Sequence, residues 1–106
     1  MTPAAGSAEP SAYAARVLAV VAQIPSGKVM SYGDIAEFLG QGIGRNVGTV
    51  LRAWGDEVPW HRVVMSDGKP KPHDREGQLA RLRAEGTALV ADGSRVEMRT
   101  ARWDGR

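Results

Sequence analysis

SYGDIAEFLGQGIGRNVGTVLRAW, residues 31–54, decides the architecture of this chain. Ser31 and Asp34 have the spacing of a capping box, in which a hydroxyl and a carboxylate satisfy each other's orphan backbone N–H groups at a helix start. Ile35, Phe38 and Leu39 supply an apolar stripe, and Gly40 stops the helix. After the turn Gly40-Gln41-Gly42-Ile43-Gly44, Val47, Val50, Leu51 and Trp54 recur at i, i+3, i+4 and i+7, which predicts another helix with one apolar face. Two short helices joined by a glycine-containing turn make a helix-turn-helix candidate. The other face of the second helix carries Arg45, Gly48, Thr49 and Arg52 at the same spacing. Two guanidiniums flanking two small residues suit close approach to a nucleic-acid backbone or groove, and the pattern equally suits an ordinary solvated face.

Upstream of this unit, Ser11 is a candidate N-cap, and Tyr13, Val17, Val20, Val21 and Ile24 recur at helical spacing until Pro25-Ser26-Gly27 ends the helix. Residues 1–10 are small and aperiodic and read as a disordered leader, with the domain covering 11–106. Lys28-Val29-Met30 is a short extended link. Downstream, His61 to Met65 reads as a short buried strand turned by Ser66-Asp67-Gly68, followed by the basic, proline-interrupted loop Lys69–Arg75. A helix with Leu79 and Leu82 ends near Glu85-Gly86. Thr87–Val90 and Arg95–Thr100 flank Ala91-Asp92-Gly93-Ser94 as a terminal hairpin or wing. Trp54 is assigned to the core and Trp103 to packing of the C-terminal segment. The expected fold is mainly α: a winged helix-turn-helix domain with a small β element.

With 106 residues the chain suits one domain with a single modest core. At 42% hydrophobic and 25% charged residues it has the composition of a soluble globular protein. A net charge of +2, a pI of about 9.4 and an excess of Arg over Lys favour a polyanionic partner. No apolar run nears the roughly 20 residues of a membrane span and no signal segment is evident, so no membrane association and a cytoplasmic location are expected. Cysteine is absent, which excludes disulfides, thiolate metal sites, iron–sulfur clusters and any cysteine nucleophile. His61 and His73 lack the spacing of paired ligands, so neither a metal nor a cofactor is expected.

The segment Val58-Pro59-Trp60-His61-Arg62-Val63-Val64 resembles the Pro-Cys-His-Arg-Val active-site motif of O6-alkylguanine-DNA alkyltransferases, with Trp60 in the cysteine position. The resemblance runs from Tyr13 to Gly86. It includes Ile24-Pro25-Ser26-Gly27-Lys28-Val29, Ser31-Tyr32-Gly33-Asp34-Ile35-Ala36 and Gly44-Arg45-Asn46-Val47-Gly48. In that family a cysteine thiolate attacks the alkyl carbon, activated through water by a histidine that a glutamate orients. By position His61 and Glu85 match the histidine and glutamate, a retained remnant of the active site. Indole cannot replace the thiolate, because its nitrogen lone pair belongs to the aromatic system and its N–H only donates.

The pattern therefore resembles the alkyltransferase-like proteins, which bind O6-alkylguanine without repairing it and pass the lesion to nucleotide excision repair. The resemblance implies a non-enzymatic monomer, nucleoid-associated in a bacterium or nuclear in a eukaryote. Its partners would be double-stranded DNA containing O6-alkylguanine and excision-repair proteins. It implies docking in the minor groove through Tyr32, Gly44, Arg45, Asn46, Gly48, Thr49 and Arg52. Arg45 would replace the extruded guanine in the stack, and Tyr32 would press on the adjoining phosphate. Trp60, Val63, Met65, His73 and Asp74 would form the pocket for the alkylated base, His73 standing where related proteins have an arginine. Two alternatives stay open. One is an enzyme, either a methyltransferase with an unexpected acceptor or a hydrolase using His61 and Glu85 on water. The other is a winged-helix transcription regulator that reads sequence.

Overall fold

Ser11 opens the first helix as its sequence position predicts: its Oγ accepts from Ala14 N at 3.0 Å, and α1 runs Ala12–Gln23. The computed structural model describes residues 9–106 and every side chain among them except that of His73. The expected leader thus lies outside the described residues up to position 8. Ala14, Val17, Val20 and Val21 form the buried face of α1, and Pro25 prevents its continuation past Ile24.

Strand β1, Met30–Ser31, leads straight into α2, Tyr32–Leu39. Ser31 Oγ accepts from Asp34 N at 2.9 Å and Asp34 Oδ2 accepts from Ser31 N at 3.0 Å, which is the predicted capping box. Gly40 ends the helix at φ 68°, a left-handed conformation in which a side chain would be strained. Helix α3, Gly44–Trp54, begins where Asn46 Oδ1 accepts from Ile43 N at 2.8 Å. Strand β2, Val63–Val64, pairs in parallel with β1 in the register Met30↔Val63 and Ser31↔Val64. Because strand side chains alternate, Met30 and Val63 join the core among α1, α2 and α3. Val29 and Val64 join a second cluster with Leu82, Val96 and Ala101. Helix α4, Arg75–Ala84, and the short α5, Met98–Ala101, complete the elements, and Trp54 and Trp103 pack against the first core as expected.

Three expectations are corrected. Phe38 is 53% exposed; α1 and α3 cover the Ile35–Ala36 side of α2, and Phe38 lies against Gly105 instead. Residues His61 to Met65 are not one strand: Trp60–Arg62 is a 3₁₀ turn, only Val63–Val64 pair, and Met65 is exposed. The cause is Gln78 of α4, 1% exposed, whose Nε2 donates to the carbonyls of His61 (3.0 Å) and Val63 (2.8 Å) and bends the segment toward it.

The wing is reduced to one antiparallel bridge, Leu89↔Val96, and Arg95–Thr100 is not a strand. There Val29 captures the chain, its N–H donating to Ala101 O at 3.0 Å and its carbonyl accepting from Trp103 N at 2.7 Å, which holds Met98–Ala101 helical. Gly68 (φ 92°) makes the docking of Val96 possible, since a Cβ there would lie 2.3 Å from the Val96 carbonyl oxygen.

Candidate nucleic-acid interface

Gly44 sets the geometry of the site. A Cβ at this first residue of α3 would lie 3.2 Å from both Gly33 N and Tyr32 Cβ, so its absence lets α3 close on the start of α2. The arginine-bearing face of α3 is thereby laid beside Tyr32. Between them runs a groove of about 710 Å³ with Tyr32, Gly48 and Thr49 in it and Arg45, Arg52 and Lys71 around it. Met65 also lines this groove. Arg45 and Arg52 are exposed, and neither forms an ion pair among the described residues. Burial pushes the Tyr32 phenol well above its ordinary range, so the hydroxyl stays protonated and can donate.

A second cavity, of about 290 Å³, shares Tyr32, Arg52 and Lys71 with the groove and is closed by Leu51, Gly55, Asp56 and Trp60. Trp60 opens the 3₁₀ turn. Its indole meets the His61 ring edge-on at 6.3 Å and 90°, and the Arg81 guanidinium lies 5.7 Å from its centre. The cavity keeps two of the groove's cations, Arg52 and Lys71, and adds the Trp60 indole and the Asp56 carboxylate to its wall.

Behind that wall, His61 Nε2 is 2.9 Å from Glu85 Oε2. Arg62 donates to the same carboxylate twice, Nε to Oε1 at 3.0 Å and Nη2 to Oε2 at 2.6 Å. The Arg62 hydrogen bonds hold the Glu85 carboxyl down at about 2, with His61 adding to them against the effect of burial. An ionised carboxylate only accepts, so His61 Nε2 carries the proton. Arg62 Nη1 also donates to Ile24 O at 2.8 Å, so one guanidinium ties the Trp60–Arg62 turn to the ends of α4 and α1. His61 is a buried, satisfied histidine.

Tyr32, Gly44, Arg45, Gly48, Thr49, Arg52 and Met65 come together along the groove, and Trp60 lies in the adjoining cavity. Val63 is fully buried in the first core and lines neither the groove nor the cavity. Asn46 caps α3, and Thr49 Oγ1 donates to Arg45 O at 3.1 Å. Asp74 turns its carboxylate toward Gly77 and lines neither space, and the His73 side chain lies outside what the structure describes.

Sequence reasoning passed over Lys71, Gln78, Arg62 and Arg81. Gln78 had a signal: it lies four residues before Leu82 on the buried face of α4, where a polar side chain demands partners. Among the described residues no helix is long and apolar enough to cross a membrane, and no group of three or more His, Asp or Glu could hold a metal ion.

Residues 12–87 match the family model described as 6-O-methylguanine DNA methyltransferase, DNA binding domain. A DNA base-flipping protein of Vibrio parahaemolyticus is 39% identical over 93 residues, covering 83% of this chain and 92% of the relative. Alkyltransferase-like protein 1 of Schizosaccharomyces pombe is 37% identical over 81 residues, covering 70% and 75%. Among solved structures, S. pombe Atl1 in complex with damaged DNA containing O6-carboxymethylguanine superimposes with a TM-score of 0.71 at 32% identity, covering 86% of this chain and 94% of that one.

Proposed function

The chain belongs to the family of 6-O-methylguanine DNA methyltransferase DNA-binding domains, and from that premise we propose that it binds O6-alkylguanine in duplex DNA by turning the base out of the stack and leaves the alkyl group in place. The observation that carries this reading is a pair of adjoining spaces with shared walls. The arginine-bearing groove of α3 shares Tyr32, Arg52 and Lys71 with a cavity walled by Trp60, in a chain without any cysteine.

In this reading Trp60 stands where the family's enzymes carry the alkyl-accepting cysteine. Arg45, exposed on the first turn of α3, enters the stack in place of the rotated guanine, and the protonated Tyr32 hydroxyl meets the adjoining phosphate. The close approach that Gly44 and Gly48 permit suits the minor groove, with the duplex bent toward its major groove. The base then stacks against Trp60, and such a contact tolerates different O6 substituents because it uses the face of the ring. A bound and unrepaired lesion needs another agent to remove it. Nucleotide excision repair proteins are the partners proposed here, on the family resemblance.

Competition binding at fixed ionic strength, between a duplex with one O6-methylguanine and its unmodified counterpart, tests the proposal. Preference for the modified duplex in unrelated sequence contexts is expected, with a rise in 2-aminopurine fluorescence beside the lesion on binding. Equal affinity for both duplexes would overturn lesion recognition. Loss of the methyl group from DNA beyond a no-protein control would overturn the non-enzymatic part.

A further inference from the structure

Lys71 is one of two cations that line both groove and cavity, and the surrounding residues hold its backbone there. Its Nζ lies 5.0 Å from the centre of the Tyr32 ring and close to Gly48, 3.6 Å from where a Cβ would stand. Pro70 and Pro72 flank it and stiffen the backbone. Its own N–H donates to the buried Gln78 Oε1 at 2.9 Å, and the same Gln78 amide holds the carbonyls of His61 and Val63. The Lys71 backbone is thus tied, through Gln78, to the turn that carries Trp60.

Arg52 lines both spaces with Lys71, and neither cation forms an ion pair among the described residues. Asp56 also lines the cavity but bonds to neither. Partial burial, and then the charge of Arg52, hold the Lys71 ammonium below its ordinary range, so the site carries two like charges at a desolvation cost that an arriving anion would offset. Tyr32 adds a neutral O–H donor at the same junction.

We propose that Lys71, Arg52 and Tyr32 form one phosphodiester-binding site at the mouth of the Trp60 cavity, which holds the backbone of the nucleotide turned into it. Two cations and a hydroxyl suit the two free oxygens of a phosphodiester. The inference rests on the base-turning reading for the position of the DNA, and adds a loop residue that fixes the backbone where the base enters.

The test combines Lys71→Gln and Lys71→Arg with duplexes containing O6-methylguanine in which the phosphate on either side of the lesion is replaced, one at a time, by a neutral methylphosphonate. Lys71→Gln should weaken binding about tenfold at moderate salt and reduce the slope of log affinity against log salt by about 0.9, whereas Lys71→Arg keeps both near wild type. For the wild type, one of the two methylphosphonates should give a loss at least as large, to which Lys71→Gln adds nothing, because the contact it removes is already gone. An unchanged salt slope in Lys71→Gln, or losses that add at both phosphates, would overturn the site. Failure of the lesion reading shows separately, as equal affinity of the wild-type protein for modified and unmodified duplexes.

Discussion

Replacing Arg62 by Ala deletes the two donors to Glu85, at 3.0 and 2.6 Å, and the bond to Ile24 O at 2.8 Å, leaving a carboxylate and a carbonyl with fewer partners. Breaking a fully buried pair from one side costs about 3–5 kcal/mol. Here the two side chains are 18% and 19% exposed, so some water can re-enter, and the expected cost falls to roughly 2–3 kcal/mol. Urea unfolding at pH 7 measures it.

Acid adds a sharper test of the same bond. Glu85 is held at about 2 against an ordinary 4.5, so as pH falls between these values the unfolded chain takes up the proton first. The stabilisation is full above about pH 5, declines through that window and is gone below about pH 2. At about 1.4 kcal/mol for each tenfold change in proton affinity the limit is about 3 kcal/mol, and solvent screening leaves roughly 1–2 kcal/mol. Arg62→Ala should lose most of this acid dependence as well as stability. If wild type and variant lose stability in parallel between pH 5 and 2, or differ at pH 7 by less than about 1 kcal/mol, Arg62 is not the anchor described.

Gly68→Ala should lower Tm by roughly 10 °C or more, because a Cβ 2.3 Å from the Val96 carbonyl oxygen must displace backbone at a left-handed position; a change within 2–3 °C would contradict the close docking of the C-terminal segment. Gln78→Leu keeps an apolar volume but strands the carbonyls of His61 and Val63 and the Lys71 N–H, with an expected loss of about 3 kcal/mol and faster amide exchange at Lys71. Unaltered exchange there would show that the loop is held by something else. Trp60→Ala should weaken lesion binding by about 5- to 150-fold, the range of one base–aromatic stack, and binding to undamaged duplex much less. Equal losses on both would remove Trp60 from the base-binding role.

What the sequence made legible is what depends on near neighbours. The caps at Ser11, Ser31 and Gly40 and the apolar face of α3 follow from contacts within a few residues, and the structure has them where the spacing put them. His61 and Arg62 belong to a 3₁₀ turn and not to the strand that their sequence suggests, because the shape there is dictated by Gln78, which reaches back 17 residues to His61 O. The reading of Arg95–Thr100 failed likewise, since Val29 recruits that stretch from the other end of the chain.

At the site, Tyr32, Arg45 and Arg52 were found from helical spacing and family motif, because helices fix which residues share a face. Val63 is expected on the cavity from the family resemblance, yet it is turned into the core. Lys71 carried only the weak signal of a charge between prolines. A loop residue has no periodicity, so its position comes from the tertiary bonds that hold it.

Gln78 has a consequence for how binding free energy is spent. One buried amide joins the loop before α4, the turn that carries Trp60 and strand β2, so the cavity wall is ordered without a ligand. In the proposed complex the protein would then lose little conformational entropy, and the work of deformation would fall on the duplex. Affinity would follow how readily the target base pair opens, and a guanine whose pairing is weakened would be favoured before any atom of its substituent is touched.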